Sequence, residues 1–401
     1  NANLTHNNTG VGYESGYYTT GGNNTYVGFQ AGMGAAGAEA NNVGVGFQSL
    51  LKITSGTENV AIGKDSMKDN TTGAGNTAVG VEALSNNTTA AENVAIGKLA
   101  LYTATTATLN VAIGNESLRL TTTGGSNVGV GRESGYSGTT HSGSVYLGEQ
   151  AGYSVTTGNQ NIAIGHNAIN GGTVTGDNNI AIGASAGDAL TSGYENVYTG
   201  LNAGGAQATG IKNTAVGSNA LGTSTGANSN NTAFGAYAGN DVSSGHTGTY
   251  IGASSNPNTG NFTNVTALGY GTTAQASDSV TLGNASVTAV YMSQDTGATV
   301  HCAAVVEGSS LEIKTNISEI ESPLEKISKL RGIEFDYKET DEHSIGMVAE
   351  EVNEVFPELV SKDKDGKVQA MSYSRMTAVL LEAIKELNQE VKELKMKNGS
   401  N

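Results

Sequence analysis

The sequence predicts a mainly β protein, in which a long solenoid of short strands precedes a small α+β domain with a long C-terminal helix. Three observations lead to this fold class. Glycine occurs 57 times in 401 residues and proline only 3 times. A short apolar–glycine motif recurs at a nearly constant spacing of 17 residues, and the density of charged residues rises abruptly after residue 308. Frequent glycine without a Gly-X-Y period argues against collagen and favours the tight corners of a β-solenoid.

The repeated motif is clearest in NVAIG (59–63), NTAVG (76–80) and NVAIG (93–97). A fixed short period of this kind is typical of a solenoid or stacked array. The alternation within each motif predicts that one set of side chains, such as Val60 and Ile62, faces inward. The final glycine of each motif is expected to form a sharp corner that a Cβ atom would obstruct.

The rest of each repeat predicts a second apolar segment and a closing turn. Pairs of a small and a larger side chain, such as Ala83-Leu84, follow the corner, and a Thr- and Gly-rich turn such as 71–73 ends the unit. One repeat buries too little apolar surface to fold alone, so successive repeats must stack. Because large apolar residues are few, we expect three chains to share the core of a homotrimeric β-helix or β-roll.

Composition also argues against several functions. The net charge of −16 disfavours a nucleic-acid partner, because phosphate binding needs clustered Lys and Arg. Residues 1–20 lack the pattern of a signal peptide, and no apolar run has the length of a membrane span. The single Cys302 and six widely spaced histidines predict neither a disulfide framework nor a metal site, and no cofactor is expected.

The C-terminal part is a different kind of polypeptide. Residues 309–401 contain 32 charged side chains, whereas the 308 preceding residues contain 24. We therefore expect a solenoid shaft over 1–292, a junction over 293–308 and a separate domain over 309–401. Within this domain the pattern predicts helices over 323–330 and 350–356, strands over 332–337 and 345–349, and a turn at 363–366 between two short strands.

The last element is predicted to be a helix from the capping residue Ser372 to about Met396. Its apolar residues alternate by four and three positions, which is the spacing of a coiled-coil seam with Ile or Val at a and Leu at d. The pattern alone favours two strands as readily as three. The seam residues are Leu380, Ile384, Leu387, Val391 and Leu394.

Several separated blocks in this domain resemble one known family. They are SSLEIKTNI (309–317), LRG (330–332), GMVAEEV (346–352), VFPELV (355–360) and LEAIKEL (381–387). They are similar to the intramolecular chaperone of phage endosialidases, tail spikes and tail fibres, also classed as peptidase S74. The resemblance implies a domain that trimerises, directs folding of the upstream β-structure and then cuts the chain before a serine.

Carried onto this sequence, the resemblance places the cleaved bond between Gly308 and Ser309. Ser309 would be the nucleophile and Lys314 its base, in a single-turnover Ser–Lys autoproteolysis. The family usually has an acidic residue after the serine and a basic one before the lysine, where this sequence has Ser310 and Glu312. Ser310 is therefore a second candidate nucleophile.

The repeats also resemble the heads of trimeric autotransporter adhesins, most clearly over 277–292. Together the two resemblances imply a trimeric bacteriophage tail fibre, assembled in the host cytoplasm and carried on the virion. Its partners would be its own copies and a host cell-surface receptor, with a glycan as one candidate. The alternatives are a tailspike that depolymerises host polysaccharide and a bacterial trimeric surface adhesin.

Two sets of side chains in the array bear on these alternatives. Acidic residues after the corner glycine, Glu82, Glu116, Glu133 and Glu149, are expected to form a solvated outer row, and a glycan-hydrolysing carboxylate pair is the other reading. Tyr13, Phe29 and Phe47 occupy neighbouring positions and either pack between successive repeats or stack on sugars.

Overall fold

The computed structural model describes residues 6–225, 227–290, 302, 309–338, 343–363 and 365–398. The chain divides into two compact units, Asn1–Ala298 and Thr299–Asn401, and each is described by itself. Apart from the exposed Cys302, the expected junction over 293–308 lies outside the described residues, and so does Gly308.

The N-terminal unit is a solenoid in which each repeat, most often of 17 or 18 residues, forms one rung. Successive short strands pair in parallel and in register, so that Ala61 lies opposite Ala78, and seventeen of them form one sheet in the described part of the chain. Two further short strands, Asn256–Pro257 and Thr273–Ala274, also pair in parallel. The strands are β1 Thr9–Val11, β2 Thr25–Val27, β3 Val43–Val45, β4 Val60–Ile62, β5 Thr77–Val79, β6 Val94–Ile96, β7 Val111–Ile113, β8 Val128–Val130, β9 Val145–Leu147, β10 Ile162–Ile164, β11 Ile180–Ile182, β12 Val197–Thr199, β13 Thr214–Val216, β14 Thr232–Phe234, β15 Thr249–Ile251, β16 Asn256–Pro257, β17 Val265–Leu268, β18 Thr273–Ala274 and β19 Ser279–Leu282.

In most of the three-residue strands, the middle side chain points into the core, although its two neighbours were expected to do so. Ala61 is fully buried, whereas Val60 is half-buried and Ile62 is 40% exposed. The expectation that Val60 and Ile62 face inward was therefore wrong. The reason is steric: Leu84 and its equivalents fill the interior from the opposite wall, so only a small side chain fits on the strand.

The exceptions to this rule confirm that volume is conserved across the core. Tyr146 replaces alanine at the core-facing strand position, and glycine then replaces leucine at both neighbouring positions of the opposite wall, Gly135 and Gly152. A Cβ atom on either glycine would overlap the Tyr146 ring. Tyr198 has the same relation to Gly204. A single chain thus closes a core of its own, made of Ala–Leu and Tyr–Gly combinations, whereas three chains were expected to share the core.

Buried asparagines run along the solenoid immediately before the strands. Most of these side chains donate from Nδ2 to the Oδ1 of the preceding asparagine, as Asn93 does to Asn76 at 3.1 Å, and each donates to a backbone carbonyl 14 or 15 residues later. These contacts satisfy polar groups that water cannot reach. We call this row the asparagine ladder; its members are Asn24, Asn42, Asn59, Asn76, Asn93, Asn110, Asn127, Asn161, Asn179, Asn196, Asn213 and Asn231, with Ser144 interrupting it.

The rung that interrupts the ladder also contains an unusual histidine. His141 is fully buried and neither of its ring nitrogens has a hydrogen-bond partner. Its ring lies 5.5 Å from that of Tyr146, whose hydroxyl also lacks a partner. Gly124 and Gly158 occupy the equivalent position in the adjacent rungs. Burial lowers the pKa of His141 to about 4 because the charged imidazolium would lose its hydration.

We expect acid to destabilise this rung. Below the ordinary histidine pKa of about 6.5, the unfolded chain binds a proton that the folded core excludes. The free energy of unfolding therefore falls as the pH drops from about 6.5 to about 4, by about 3 kcal/mol, and then levels off. Hydrogen exchange of peptides within 124–158, corrected for intrinsic rates, measures this change. His141→Leu should abolish the pH response, and an unchanged response in that variant contradicts the assignment.

The C-terminal unit is a small α+β domain. Its helices are α1 Pro323–Ile327, α2 Ala349–Val355 and α3 Tyr373–Asn398, with one-turn 3₁₀ helices at Leu311–Ile313 and Pro357–Leu359. Its strands form two antiparallel pairs, β20 Ile333–Asp336 with β21 His343–Gly346 and β22 Val360–Lys362 with β23 Val368–Met371. The predicted elements are therefore present, although α1 ends three residues early and β21 lies at 343–346 where 345–349 was expected. No helix in the described part of the chain is long and apolar enough to cross a membrane.

The core of this domain lies between α2, α3 and the second 3₁₀ helix. It contains Val352, Phe356, Leu359, Met376 and Val379. An ion pair joins two of the blocks that carried the family resemblance, with Arg331 Nη2 2.7 Å from Glu351 Oε1. This pairing lowers the pKa of Glu351, because the guanidinium stabilises the carboxylate form.

Candidate functional site

The candidate cleavage site is built on the first 3₁₀ helix, Leu311–Ile313. Ser310 precedes it in an extended conformation, and its hydroxyl accepts a hydrogen bond from the Glu312 backbone N–H at 3.2 Å. The backbone N–H of Lys314 then donates to the Leu311 carbonyl at 3.2 Å, which closes the turn. Such a cap satisfies one of the donors that a helix start leaves free.

This turn returns the chain so that two predicted site residues meet. Lys314 Nζ donates a hydrogen bond to Ser309 Oγ over 2.8 Å. That distance is within the reach that proton transfer between a nucleophile and its base requires. Spacing in the sequence alone could not predict this contact, because five residues bring side chains together only when the intervening backbone forms a turn. Both residues are exposed in the single chain.

The two candidate serines have different contacts. The hydroxyl of Ser309 accepts a hydrogen bond from Lys314, whereas the hydroxyl of Ser310 caps the turn. The geometry of the single chain therefore favours Ser309 over Ser310 as the group that Lys314 can activate. The capping role of Ser310 was not predicted from the sequence. The available signal was a serine followed two residues later by Glu312, since serine often begins a helical turn and acidic residues favour its first positions.

Helix α3 has two adjoining apolar stripes. Met376, Val379 and Ala383 are buried against the domain. The predicted seam residues lie beside them, where Ile384 is 63% exposed and Leu394 57% exposed. The structure therefore places all five seam residues on one helix, and in the single chain they remain open to solvent: Leu380, Ile384, Leu387, Val391 and Leu394.

On the solenoid, the aromatic side chains after the corner glycines stack on one another. The rings of Phe29 and Phe47 are 5.1 Å apart and nearly parallel, and Tyr13 stacks on Phe29 at 5.4 Å. Tyr136 and Tyr153 form a similar pair at 5.0 Å. Since the faces within each stack cover one another, a sugar ring cannot occupy the space between them. This geometry favours packing between rungs.

Three carboxylates of the outer row, those of Glu116, Glu133 and Glu149, have basic partners on the same surface. Glu116 accepts from Arg119 at 2.8 Å. Glu133 accepts from Arg132 at 2.6 Å, and Glu149 pairs with the same arginine from the next rung. The Arg132 guanidinium holds the pKa of Glu149 below its usual range. A carboxylate kept ionised in this way is poorly suited to donate a proton as a glycosidase acid.

Comparison with known proteins identifies the C-terminal domain. Residues 309–361 match the family model described as chaperone of endosialidase, Peptidase_S74. The chain is also similar to long tail fibre proteins Gp37. It is 35% identical over 97 residues to that of Enterobacteria phage K3, which covers 22% of this chain and 8% of the relative. The values for the protein of Enterobacteria phage T2 are 35% over 97 residues, 22% and 7%.

A third relative is the Gp37 protein of Salmonella phage S16, which is 30% identical over 109 residues, or 25% of this chain and 15% of that protein. Each similarity thus spans a minor part of a much longer relative. The chain carries a chaperone-of-endosialidase domain and is partly similar to phage long tail fibre proteins, as the sequence blocks over 309–387 predicted.

Proposed function

We propose that this chain is the shaft of a trimeric bacteriophage tail fibre, with a C-terminal chaperone that assembles the trimer and then cuts itself free at Gly308–Ser309. The observation that carries the cleavage is the 2.8 Å contact between Lys314 Nζ and Ser309 Oγ, at the first residue of the matched family segment. The similarity to long tail fibre proteins supports a place on the virion.

The proposed cleavage begins when neutral Lys314 removes the hydroxyl proton of Ser309. The Oγ atom attacks the carbonyl carbon of Gly308, the peptide C–N bond breaks, and the lysine gives its proton to the departing Ser309 nitrogen. The Gly308 acyl group is then an ester on Oγ. Water hydrolyses this ester and yields a Gly308 carboxylate and a Ser309 residue with free amine and hydroxyl groups.

The exposure of the pair suggests how cleavage is coupled to assembly. Lysine acts as a base only when its surroundings disfavour the ammonium form, and burial is the usual cause. In the single chain, Ser309 and Lys314 are open to water. We infer that contact with neighbouring chains covers the pair, so that cleavage follows trimerisation.

Two apolar surfaces support the trimer. One is the seam on α3. The other is the outer face of the long parallel sheet, where the third residue of most strands is a partly exposed aliphatic: Ile62, Ile96, Ile113, Val130, Ile182 and Ile251. Monomeric proteins rarely expose a continuous apolar stripe of this length. Packing three chains through these surfaces would bury them.

In a trimer, the C-terminal chaperone would set the register in which the three chains pair. Adjacent rungs repeat the same short strand motif, so strands of different chains could pair in the wrong register. Joining the C-terminal domains first fixes the register and raises the local concentration of the shafts. A host cell-surface receptor, with a glycan as one candidate, is the partner we propose for the assembled fibre.

The cleavage is tested with the full chain and its Ser309→Ala and Lys314→Ala variants. We expect intact mass spectrometry of the unmodified chain to show a fragment that begins at Ser309. Each variant should remain whole, with a cleavage rate reduced at least about 10³-fold, because the nucleophile and its base act as one unit. A chain that forms trimers and stays whole contradicts the proposed cleavage.

The oligomeric state is tested with the Ser309→Ala chain, which keeps shaft and chaperone joined. Light scattering after size exclusion should give three times the 40.6 kDa mass of one chain. Ser361→Ala serves as a control for the loss of an exposed hydroxyl elsewhere in the domain. A monomeric or dimeric mass for the Ser309→Ala chain contradicts the trimer.

A further inference from the structure

The residue between the proposed nucleophile and the 3₁₀ helix has a contact that the cleavage scheme does not use. Ser310 has φ −62° and ψ 147°, which is an extended conformation, and its Oγ accepts from the Glu312 N–H at 3.2 Å. This contact is the side-chain cap of the turn. The Ser310 hydroxyl is therefore hydrogen-bonded to the backbone, while the hydroxyl of its neighbour Ser309 accepts a hydrogen bond from Lys314.

The turn that Ser310 caps is short and depends on few bonds. It has three residues, Leu311–Ile313, and ends where the Lys314 N–H donates to Leu311. A single helical turn is intrinsically unfavourable, because fixing its dihedral angles yields only one or two hydrogen bonds. Leu311 is 75% exposed, so apolar burial of this side chain does not hold the turn in the single chain. The cap therefore makes up much of what keeps the turn formed.

Only the folded turn brings the two reacting groups together. Lys314 follows directly after it, and its Nζ reaches back across five residues to Ser309. If the turn opens, the two side chains separate and the base must find the hydroxyl by diffusion of the chain. Holding reacting groups in place is among the largest contributions to catalytic rates, and small displacements lower those rates steeply.

We propose that Ser310 is a positioning residue for the self-cleavage: its hydroxyl caps the turn that places Lys314 on Ser309. This inference rests on the proposed function, since it assumes that the pair cuts the chain. It also accounts for the departure at this position from the acidic residue that the resembling family usually has. Ser, Asp and Asn all cap helix starts well, so a serine conserves the cap without the charge.

The test compares cleavage rates of Ser310→Ala, Ser310→Asn and Ser310→Asp in the full chain. Loss of a cap typically reduces the population of the turn about five- to tenfold, so we expect Ser310→Ala to release the fragment that much more slowly. Asn and Asp should restore the rate to within about twofold, because their side chains accept the same hydrogen bond. The inflection of the pH–rate profile should stay where it is, since the base is unchanged.

Controls separate this role from others. Ser361→Ala should cleave at the unmodified rate, and light scattering should show that all variants are trimers before cleavage. Ser310→Ala cleaving at the unmodified rate, or Ser310→Asn being as slow as Ser310→Ala, overturns the positioning role while leaving the cleavage intact. A fragment that begins at Ser310 assigns the nucleophile there and overturns the inference. An unmodified chain that stays whole overturns both the cleavage and the role that depends on it.

Discussion

Replacement of Asn110 by alanine is expected to lower the local free energy of unfolding of the solenoid by about 4 kcal/mol. Its Nδ2 donates to Asn93 Oδ1 at 3.1 Å and to the Gly124 carbonyl at 3.0 Å. Its Oδ1 accepts from the backbone N–H and from Nδ2 of Asn127, each at 3.0 Å. Alanine fills none of these roles, and each buried group left without a partner costs about 1–3 kcal/mol.

The matched control for this prediction is Asn110→Ser. The chain already has a serine in the ladder, where the Ser144 N–H donates to Asn127 and the Ser144 hydroxyl accepts from the Asn161 N–H at 3.2 Å. Serine at position 110 can likewise accept from the next backbone N–H, so we expect it to lose less than half as much stability as alanine. Hydrogen exchange of peptides within 94–128 measures both. Equal losses for the two variants contradict the role of the ladder.

Gly114→Ala should have an effect at least as large. Gly114 has φ 137°, a backbone region that residues with a Cβ rarely adopt, and the added atom would overlap the backbone carbonyl of Gly131 in the next rung. Neither carbonyl nor corner can move without breaking the parallel pairing of β7 and β8. Combining backbone strain with this overlap, we expect a loss of about 4 kcal/mol or more.

Gly75→Ala is the control for the corner prediction. Gly75 also has a positive φ of 67°, but the nearest atom to an added Cβ lies 3.6 Å away. Other rungs have Glu58, Glu92 and Leu109 at the same position in the same left-handed conformation. We expect a loss of about 1–2 kcal/mol. Thermal unfolding and hydrogen exchange should rank the two variants clearly, and a similar effect for both contradicts the steric argument.

The repeat period predicted the solenoid because a periodic sequence has one simple way to bury its apolar positions. Corner glycines such as Gly63 were identified correctly, since a recurring glycine at a strand end indicates a conformation that other residues avoid. The facing of the strands was predicted wrongly. Alternation shows that Val60 and Ala61 point to opposite sides, but it does not show which side is the core.

The asparagine ladder shows the same limit. Asn59, Asn76 and Asn93 recur in the sequence, and their period is obvious. Polar residues beside strands are ordinarily assigned to turns at the surface, and burial becomes favourable only when each amide finds its partners one rung away. Those partners lie 17 residues away in sequence and are adjacent only after the rungs have stacked.

At the candidate site, too, the sequence predicted some features and the folded structure decided others. Ser309 and Lys314 were chosen because the surrounding blocks resemble a known family, while the contact between their side chains depends on a turn that Ser310 caps. The seam on α3 followed from spacing alone, because residues three and four apart share a face of any α-helix.

By itself, the sequence determined the repeat architecture, the corner positions and the change from a sparsely charged array to a charge-rich domain, while its resemblance to a known family indicated the pair at the candidate site. The tertiary structure decided which face of each strand is buried, that asparagines form an internal ladder, and which serine meets the lysine. The physical reason is that period and composition are properties of neighbours along the chain. Burial and hydrogen-bond partners depend on atoms that only folding brings within reach, so no local pattern can specify them.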